Sequence, residues 1–203
     1  MALKHWRRFG LAAILASSLT ACGDGADSPL APRTVNGLVV ADTAVTTFHV
    51  GPNGGRFNIG STHRIEFPAN AICDLATSSY GAGEWDEPCA PSTQSVRITA
   101  KSWTDAGGHP HVDFQPAMRF TPTLGEGVLL YLKDKKSAYD PAAKIVYCSG
   151  PLNLACVDES AGDSSLAVRR DGPNGYVYRR IKHFSGYNVT AGRTVDVSID
   201  ASL

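Results

Sequence analysis

The sequence lacks an excess of charge of either sign, because 19 lysines and arginines balance 19 aspartates and glutamates among its 203 residues. A neutral chain offers no general electrostatic attraction to nucleic-acid phosphates or to anionic lipid. The sequence also lacks a nucleophile elbow, a Walker loop, a zinc-protease helix and a dinucleotide fingerprint. We therefore expect no nucleic-acid partner, no cofactor, no metal and no conventional enzymatic turnover.

Long apolar runs are also absent, apart from a short one near the start of the chain. Lys4, Arg7 and Arg8 precede an apolar run over residues 9–19, which is too short to span a bilayer as a permanent helix. A basic start, an apolar run and then small residues are typical of a secretory signal. The pattern predicts a signal peptide over residues 1–21.

The residues around the end of this signal, Leu19-Thr20-Ala21-Cys22, resemble the bacterial lipobox. The resemblance implies cleavage before Cys22 and acylation of Cys22, and several acyl chains together hold a protein firmly on the membrane. It places the chain in a bacterial cell envelope. Gly23, in place of the aspartate that retains such proteins at the inner membrane, implies the outer membrane where the cell has one. The alternative is an ordinary secretory signal with an incidental cysteine.

The segment after Cys22, "GDGADSPLAPRT", is small, polar and proline-bearing. This composition is typical of a flexible linker. We predict a tether over residues 22–44 and one folded domain over residues 45–203, a length that suffices for a sizeable core.

Cysteine is scarce, and the four copies beyond Cys22 are Cys73, Cys89, Cys148 and Cys156. An even number in an exported chain indicates disulfides, and four cysteines allow three connectivities. Closeness in sequence favours Cys73 with Cys89 and Cys148 with Cys156. A zinc site is the alternative, although the close paired spacing typical of zinc ligands is absent.

Helical periodicity is missing from residue 45 onward, where short apolar and β-branched runs alternate with turn signals. Candidate strands are "TTFHV", "RFNI", "HRIEF", "QSVRITAKSW", "HVDFQP", "GVLLYLK", "KIVYC", "SLAVRR", "YVYRRIKHF" and "TVDVSI". Gly-Pro-Asn-Gly occurs at residues 51–54 and 172–175, and both copies predict tight turns. The pattern predicts an all-β fold, an antiparallel β-sandwich of short strands, with a partly open barrel as the alternative.

Four segments in order, "GPNGGRF", "IEFPANAI", "VDFQPAMRFTP" and "KHFSGY", resemble the landmarks of the ZU-five domain of zonula occludens proteins, ankyrins and netrin receptors. The resemblance covers residues 46–190 and implies a β-sandwich that serves as an interaction domain. One departure is Asn70, at a turn where the family usually has glycine. Asparagine tolerates the left-handed backbone better than other non-glycine residues, so the turn can survive.

The triplet His183-Phe184-Ser185 resembles one at which some animal ZU-five domains cut themselves. The resemblance implies Ser185 as nucleophile, His183 as general base and cleavage between Phe184 and Ser185. Alternation along a strand would place His183 beside Ser185 and Phe184 in the core. The favoured alternative is therefore a plain strand with a His-Ser surface pair.

The loop over residues 74–88 gathers Tyr80, Trp85 and Asp86 between Cys73 and Cys89. Aromatic rings beside carboxylates can hold sugars or peptides. The alternative, which we favour, is that Trp85 folds down as a plug while the acidic side chains remain solvated.

Two further clusters have a binding interpretation and a simpler one. His109 and His111 could form a metal pair, but ordinary surface histidines are favoured because no acidic partner is evident. Asp158, Glu159 and Asp163 could hold calcium, but their spacing favours a solvated turn.

The sequence as a whole predicts a lipid-anchored envelope module that binds or supports other components without turning over a substrate. Its expected partners are the membrane, reached through the N-terminal lipid, and envelope proteins or cell-wall glycans.

Overall fold

The computed structural model describes residues 33–35, 38–122, 125–149, 155–184 and 186–190. The predicted signal peptide, the predicted lipidation site Cys22, the candidate nucleophile Ser185 and the predicted strand "TVDVSI" lie outside these residues.

Strands dominate the described residues, as the sequence predicts, and the all-β sandwich is confirmed. The strands are β1 Arg33–Val35, β2 Leu38–Val50, β3 Gly55–Ile59, β4 His63–Phe67, β5 Val96–Thr104, β6 Pro110–Gln115, β7 Val128–Lys133, β8 Lys144–Ser149, β9 Ala155–Val157, β10 Arg169–Asp171, β11 Tyr176–Ile181 and β12 Gly186–Thr190. Short 3-10 helices cover Ser137–Tyr139, Glu159–Ala161 and Ser164–Leu166. Within the described ranges, no helix has the length and hydropathy needed to cross a membrane.

The strands form two antiparallel sheets. A seven-stranded sheet has the order β1-β2-β5-β6-β12-β8-β9, and a five-stranded sheet has the order β10-β11-β7-β4-β3. Alternation of buried and accessible residues along β4 and β5 follows the two-residue period of a strand with one face in the core. Each sheet therefore contributes one inward and one outward face.

The core contains a group of phenylalanine rings in mutual contact. The ring of Phe184 stacks on Phe114 with centroids 4.2 Å apart and meets Phe120 edge-on at 4.9 Å and Phe67 at 6.0 Å. Phe184 is fully buried, so the prediction that its ring lies in the core is confirmed.

The folded part begins earlier than the predicted boundary at residue 45. β1 pairs with the first residues of β2, from Arg33 opposite Val40 to Val35 opposite Leu38. Residues 33–35 and 38–44 of the predicted tether are therefore strand. The proline-bearing composition indicated a linker, but backbone pairing with a neighbouring strand needs no apolar side-chain pattern.

The turns take the predicted form. The backbone N–H of Gly54 donates to the carbonyl of Gly51, and that of Gly175 donates to Gly172, both at 2.9 Å. Asn70 has a φ of 59°, the left-handed conformation expected at a turn where ZU-five domains usually carry glycine. The first turn carries the chain from one sheet to the other, and the second closes the hairpin of β10 and β11.

The four cysteines form the two disulfides favoured by their spacing, Cys73 with Cys89 and Cys148 with Cys156. Cys148 and Cys156 are directly opposite each other on β8 and β9, with Cα atoms 3.9 Å apart. Strand β9 was not predicted, because its three residues are too few to show a period.

Candidate functional site around His183

The chain leaves β11 just before the predicted triplet. β11 ends at Ile181, and His183 then forms an isolated bridge with Arg119. The backbone N–H of Phe184 donates to the carbonyl of Met118 at 2.7 Å. The strand predicted to run through residue 184 therefore stops earlier, because this segment pairs with another part of the chain.

His183 is fully buried, and a surface histidine at this position was a wrong prediction. Its Nε2 lies 2.7 Å from Oε1 of Glu159. The other carboxylate oxygen, Oε2, accepts from a terminal guanidinium nitrogen of Arg179, whose side chain is also fully buried. One carboxylate thus holds a histidine and an arginine inside the protein.

The other two nitrogens of Arg179 also donate hydrogen bonds. Nη1 donates to the carbonyl of Ile145 at 2.7 Å, and Nε donates to the backbone carbonyl of Arg180 at 3.0 Å. A buried guanidinium is tolerated when its charge is paired and its donors are satisfied. Burial by itself would raise the pKa of Glu159, but the hydrogen bond from His183 and the charge of Arg179 lower it overall, which keeps this group an anion.

Glu159 comes from the segment whose acidic residues were expected to be solvated. Asp158 caps the 3-10 helix that begins at Glu159, accepting from the backbone N–H of Ser160 at 3.1 Å, and it pairs with Lys144 at 2.5 Å. Asp163 lies 2.7 Å from Lys182. Each acid therefore has a partner, and the solvated-turn prediction was wrong for Glu159 above all.

Trp85 forms a cover over the histidine. Its ring stacks on His183 with centroids 4.0 Å apart and an interplanar angle of 25°. Tyr147 meets the same imidazole edge-on at 4.5 Å, and Tyr80 meets Trp85 at 4.7 Å. This packing is the arrangement expected of a plug, with one face of the indole used inside the protein.

The loop that carries Trp85 is fastened at several points besides the Cys73–Cys89 disulfide. Arg119, which is 4% exposed, donates to the backbone carbonyls of Ser79, Glu87 and Pro88. Asp86, predicted as a binding residue, lies 2.6 Å from Nζ of Lys182. These bonds hold the loop across the site.

Tyr80 reaches the backbone of the triplet. Its hydroxyl donates to the carbonyl oxygen of Phe184 at 2.5 Å. Burial, followed by the proximity of Tyr147 and Glu159, raises the pKa of Tyr80, so the phenol stays protonated and remains a donor. The sequence contained no signal for this contact, because the two residues are 104 positions apart.

The imidazole of His183 has one nitrogen available for chemistry within the described residues. Nε2 faces a carboxylate, which can only accept, so Nε2 carries a hydrogen. Nδ1 is buried and has no hydrogen-bond partner among the described residues. A histidine oriented by a carboxylate at one nitrogen can act as a base at the other.

Each of the other two candidate histidines contacts an acidic side chain. Nδ1 of His109 lies 3.2 Å from Asp134, and Nε2 of His111 lies 3.2 Å from Asp105. The prediction that these histidines lack acidic partners was wrong, since the turn brings Asp105 back to the start of β6. Across the described ranges, no group of three or more side chains of metal-binding type comes together.

Comparisons with known proteins do not identify a family. No family model, no curated protein and no solved structure matches this chain. The fold defines the class as a disulfide-bonded β-sandwich, and the resemblance to the ZU-five domain stays a prediction.

Proposed function

We propose that this chain is a membrane-anchored module of a bacterial cell envelope, which displays a β-sandwich on a lipidated tether and acts by binding. The lipobox-like residues before Cys22 support the anchor. The two disulfides support a route through an oxidising compartment, where such bonds form and persist. Partners would be envelope proteins or cell-wall glycans.

The closed site around His183 carries the proposal that no external substrate is turned over. A general base must come within hydrogen-bond reach of the proton that it removes. His183 is fully buried, Trp85 lies against its ring, and Glu159 occupies Nε2. An external molecule would have to displace a disulfide-closed loop to reach it.

The anchor is tested by replacing the acylated residue. We expect the native chain to partition into the detergent phase after lysis, and Cys22→Ser to remain unprocessed or to partition into the aqueous phase. The matched control is Cys148→Ser with Cys156→Ser, which removes a disulfide without touching the anchor. Equal partitioning of the native chain and Cys22→Ser, with the signal removed from both, would show that Cys22 is not the anchor.

Binding is tested in the envelope itself. Crosslinking in intact cells, detergent solubilisation and mass spectrometry should recover the same partner in independent preparations. Repeated recovery of the chain alone would contradict a protein partner.

A second function is favoured by one observation, the hydrogen bond from Tyr80 to the carbonyl of Phe184. We propose as this second candidate that the bond between Phe184 and Ser185 cleaves itself. A donor on the reacting carbonyl stabilises the negative charge that develops there. Together with a carboxylate-oriented His183, it supplies two of the groups that such a reaction needs.

The proposed reaction is an acyl shift followed by hydrolysis. The hydroxyl oxygen of Ser185 attacks the carbonyl carbon of Phe184 while Nδ1 of His183 takes the hydroxyl proton. The carbon–nitrogen bond then breaks, and the proton passes to the departing amine, which leaves an ester. Water hydrolyses the ester to a carboxylate on Phe184 and the free hydroxyl of Ser185.

The test is a time course of the denatured chain on a gel and by mass spectrometry. Cleavage should yield a fragment that begins at Ser185, abolished in Ser185→Ala and slowed about 100-fold in Tyr80→Phe, which loses the donor and keeps the ring. Tyr178→Phe is the matched control, because it removes a tyrosine hydroxyl from β11, opposite Tyr131, and leaves Tyr80 in place. Absence of the fragment after prolonged incubation would exclude this second function.

A further inference from the structure

The outward face of the five-stranded sheet carries a cluster of tyrosines and cations. We call it the tyrosine–arginine face, and its members are Arg56, Arg64, Glu66, Tyr131, Lys133, Tyr176 and Tyr178. They come from β3, β4, β7 and β11, which are adjacent strands.

Strand register brings the members together. Tyr131 on β7 is directly opposite Tyr178 on β11 and Arg64 on β4, and Lys133 is directly opposite Tyr176. Directly opposite residues on paired strands point to the same side of the sheet. The cluster is therefore a continuous row across the sheet.

The side chains within the row are held by stacking. Tyr131 stacks on Tyr178 with ring centroids 4.7 Å apart, and the guanidinium carbon of Arg64 lies 4.0 Å from the ring centroid of Tyr131. Nζ of Lys133 lies 4.6 Å from the ring of Tyr176. Cations on aromatic faces lose little freedom on binding an anion, because their positions are already fixed.

The charge of the face is positive on a chain that is neutral as a whole. Nε of Arg56 and Nε of Arg64 lie 2.8 and 3.1 Å from the same oxygen of Glu66. With Lys133 included, three cations of the face meet one carboxylate. The strand register adds two more cations and one carboxylate to this side of the sheet, Arg169, Arg180 and Asp171. The face therefore has positive charge to offer an anionic ligand.

The face offers hydrogen-bonding groups and little aliphatic surface. Leu129, the aliphatic side chain that points the same way from β7, is only 7% exposed. Lipid insertion and the apolar centre of a protein interface both need exposed apolar area. Hydroxyls, guanidinium groups and an ammonium group fit a polar, extended and anionic ligand.

We infer that the tyrosine–arginine face binds an acidic polysaccharide of the envelope, through its carboxylate or phosphate groups. This inference rests on the proposed binding role and is independent of the lipid anchor. It places glycan binding on the five-stranded sheet, away from the Trp85 loop.

The test measures retention of the full chain, in mild detergent, on immobilised alginate, a polymer of uronic acids, and on neutral dextran. We expect retention on alginate alone, weakened by added salt and about tenfold weaker in the double variant Arg64→Gln with Lys133→Gln. Arg56→Gln, at a side chain that is 65% exposed, should weaken it about threefold without disturbing the stacked rings.

Lys101→Gln is the matched control, because Nζ of Lys101 lies over the ring of Trp103 on the other sheet. Unchanged retention in this variant supports the inference, provided that circular dichroism shows all variants folded. No retention on alginate, equal retention on dextran or an equal loss in Lys101→Gln would overturn it. Binding only to phosphatidylglycerol vesicles or to polyglutamate would also overturn it.

The outcomes separate this inference from the proposed function. If the chain does not bind alginate but has its anchor and a reproducible crosslinked partner, only the polysaccharide inference is wrong. Alginate binding by a native chain that proves to carry no acyl chains contradicts only the lipoprotein proposal.

Discussion

At the scale of single residues, Glu159 is the side chain on which the buried site depends. It faces two fully buried partners, Arg179 and His183. Removing one member of a buried ion pair leaves the other charge without compensation, which costs more than the loss of a surface pair.

We expect Glu159→Gln to lower the free energy of unfolding by about 3 kcal/mol or more, because Arg179 loses its carboxylate inside the protein. Urea unfolding measures the change. Glu126→Gln is the matched control, since Glu126 pairs with Arg169 at 2.9 Å with both side chains accessible, and it should cost less than about 1 kcal/mol. Equal effects of the two variants would contradict a buried charge network.

The buried side chain of His63 makes the stability of the fold depend on pH, independently of Glu159. Burial lowers the pKa of His63 to about 4, and its Nδ1 accepts from the backbone N–H of Lys133 at 2.9 Å. His63 therefore binds a proton more readily in the unfolded chain than in the folded one. The stability that neutral His63 contributes is complete above about pH 6.5 and is lost as pH falls toward 4. The loss should be about 3 kcal/mol by pH 4.

Urea unfolding between pH 7 and 4 measures this loss, and His63→Gln should flatten the profile over that window. Glu159 contributes stability as an anion. Because its pKa is lowered, this stability is lost only in more acidic solution. A profile for His63→Gln that matches the native one would contradict the assignment to His63.

At the scale of elements, the loop between Cys73 and Cys89 decides between a plug and a binding platform. We expect Trp85→Ala to lower the free energy of unfolding by about 2 kcal/mol, because the indole covers a buried imidazole and is only partly accessible. Retention on alginate should be unchanged.

Urea unfolding and the alginate column are the two measurements. Trp103→Ala is the matched control, since Trp103 lies on β5 of the seven-stranded sheet, stacks on His111 at 5.3 Å and is also partly accessible. Weaker glycan retention in Trp85→Ala, with unchanged stability, would favour the platform instead.

Elements with a clear local pattern were predictable from the sequence. β4 and β5 alternate buried and accessible residues, and both Gly-Pro-Asn-Gly segments carry the residues that their turns require. The disulfide pairs followed from their spacing. Each of these depends on neighbouring residues in the chain.

The site itself was only half predictable. His183 and Trp85 stood out by residue type, but Glu159 lies 24 positions before His183 in a turn that has no periodic pattern. The contact from Tyr80 to Phe184 depends on how a long loop folds back. Such pairings are fixed by tertiary packing, which a local pattern does not encode.

At the scale of the whole molecule, we propose that a lipid anchor carries the β-sandwich. The His183 site is buried beneath a fastened loop, while the tyrosine–arginine face lies on an accessible side of the five-stranded sheet. Chemistry on an external substrate is therefore disfavoured where the histidine lies, and binding is favoured on the sheet face.

The most direct test of this account is the intact mass of the denatured chain purified from a bacterial envelope. The account predicts one species that begins at Cys22, carries acyl chains on that residue, contains two disulfides and is uncut between Phe184 and Ser185. An unmodified N-terminus would contradict the anchor, and a fragment that begins at Ser185 would replace a non-catalytic module with a self-cleaving one.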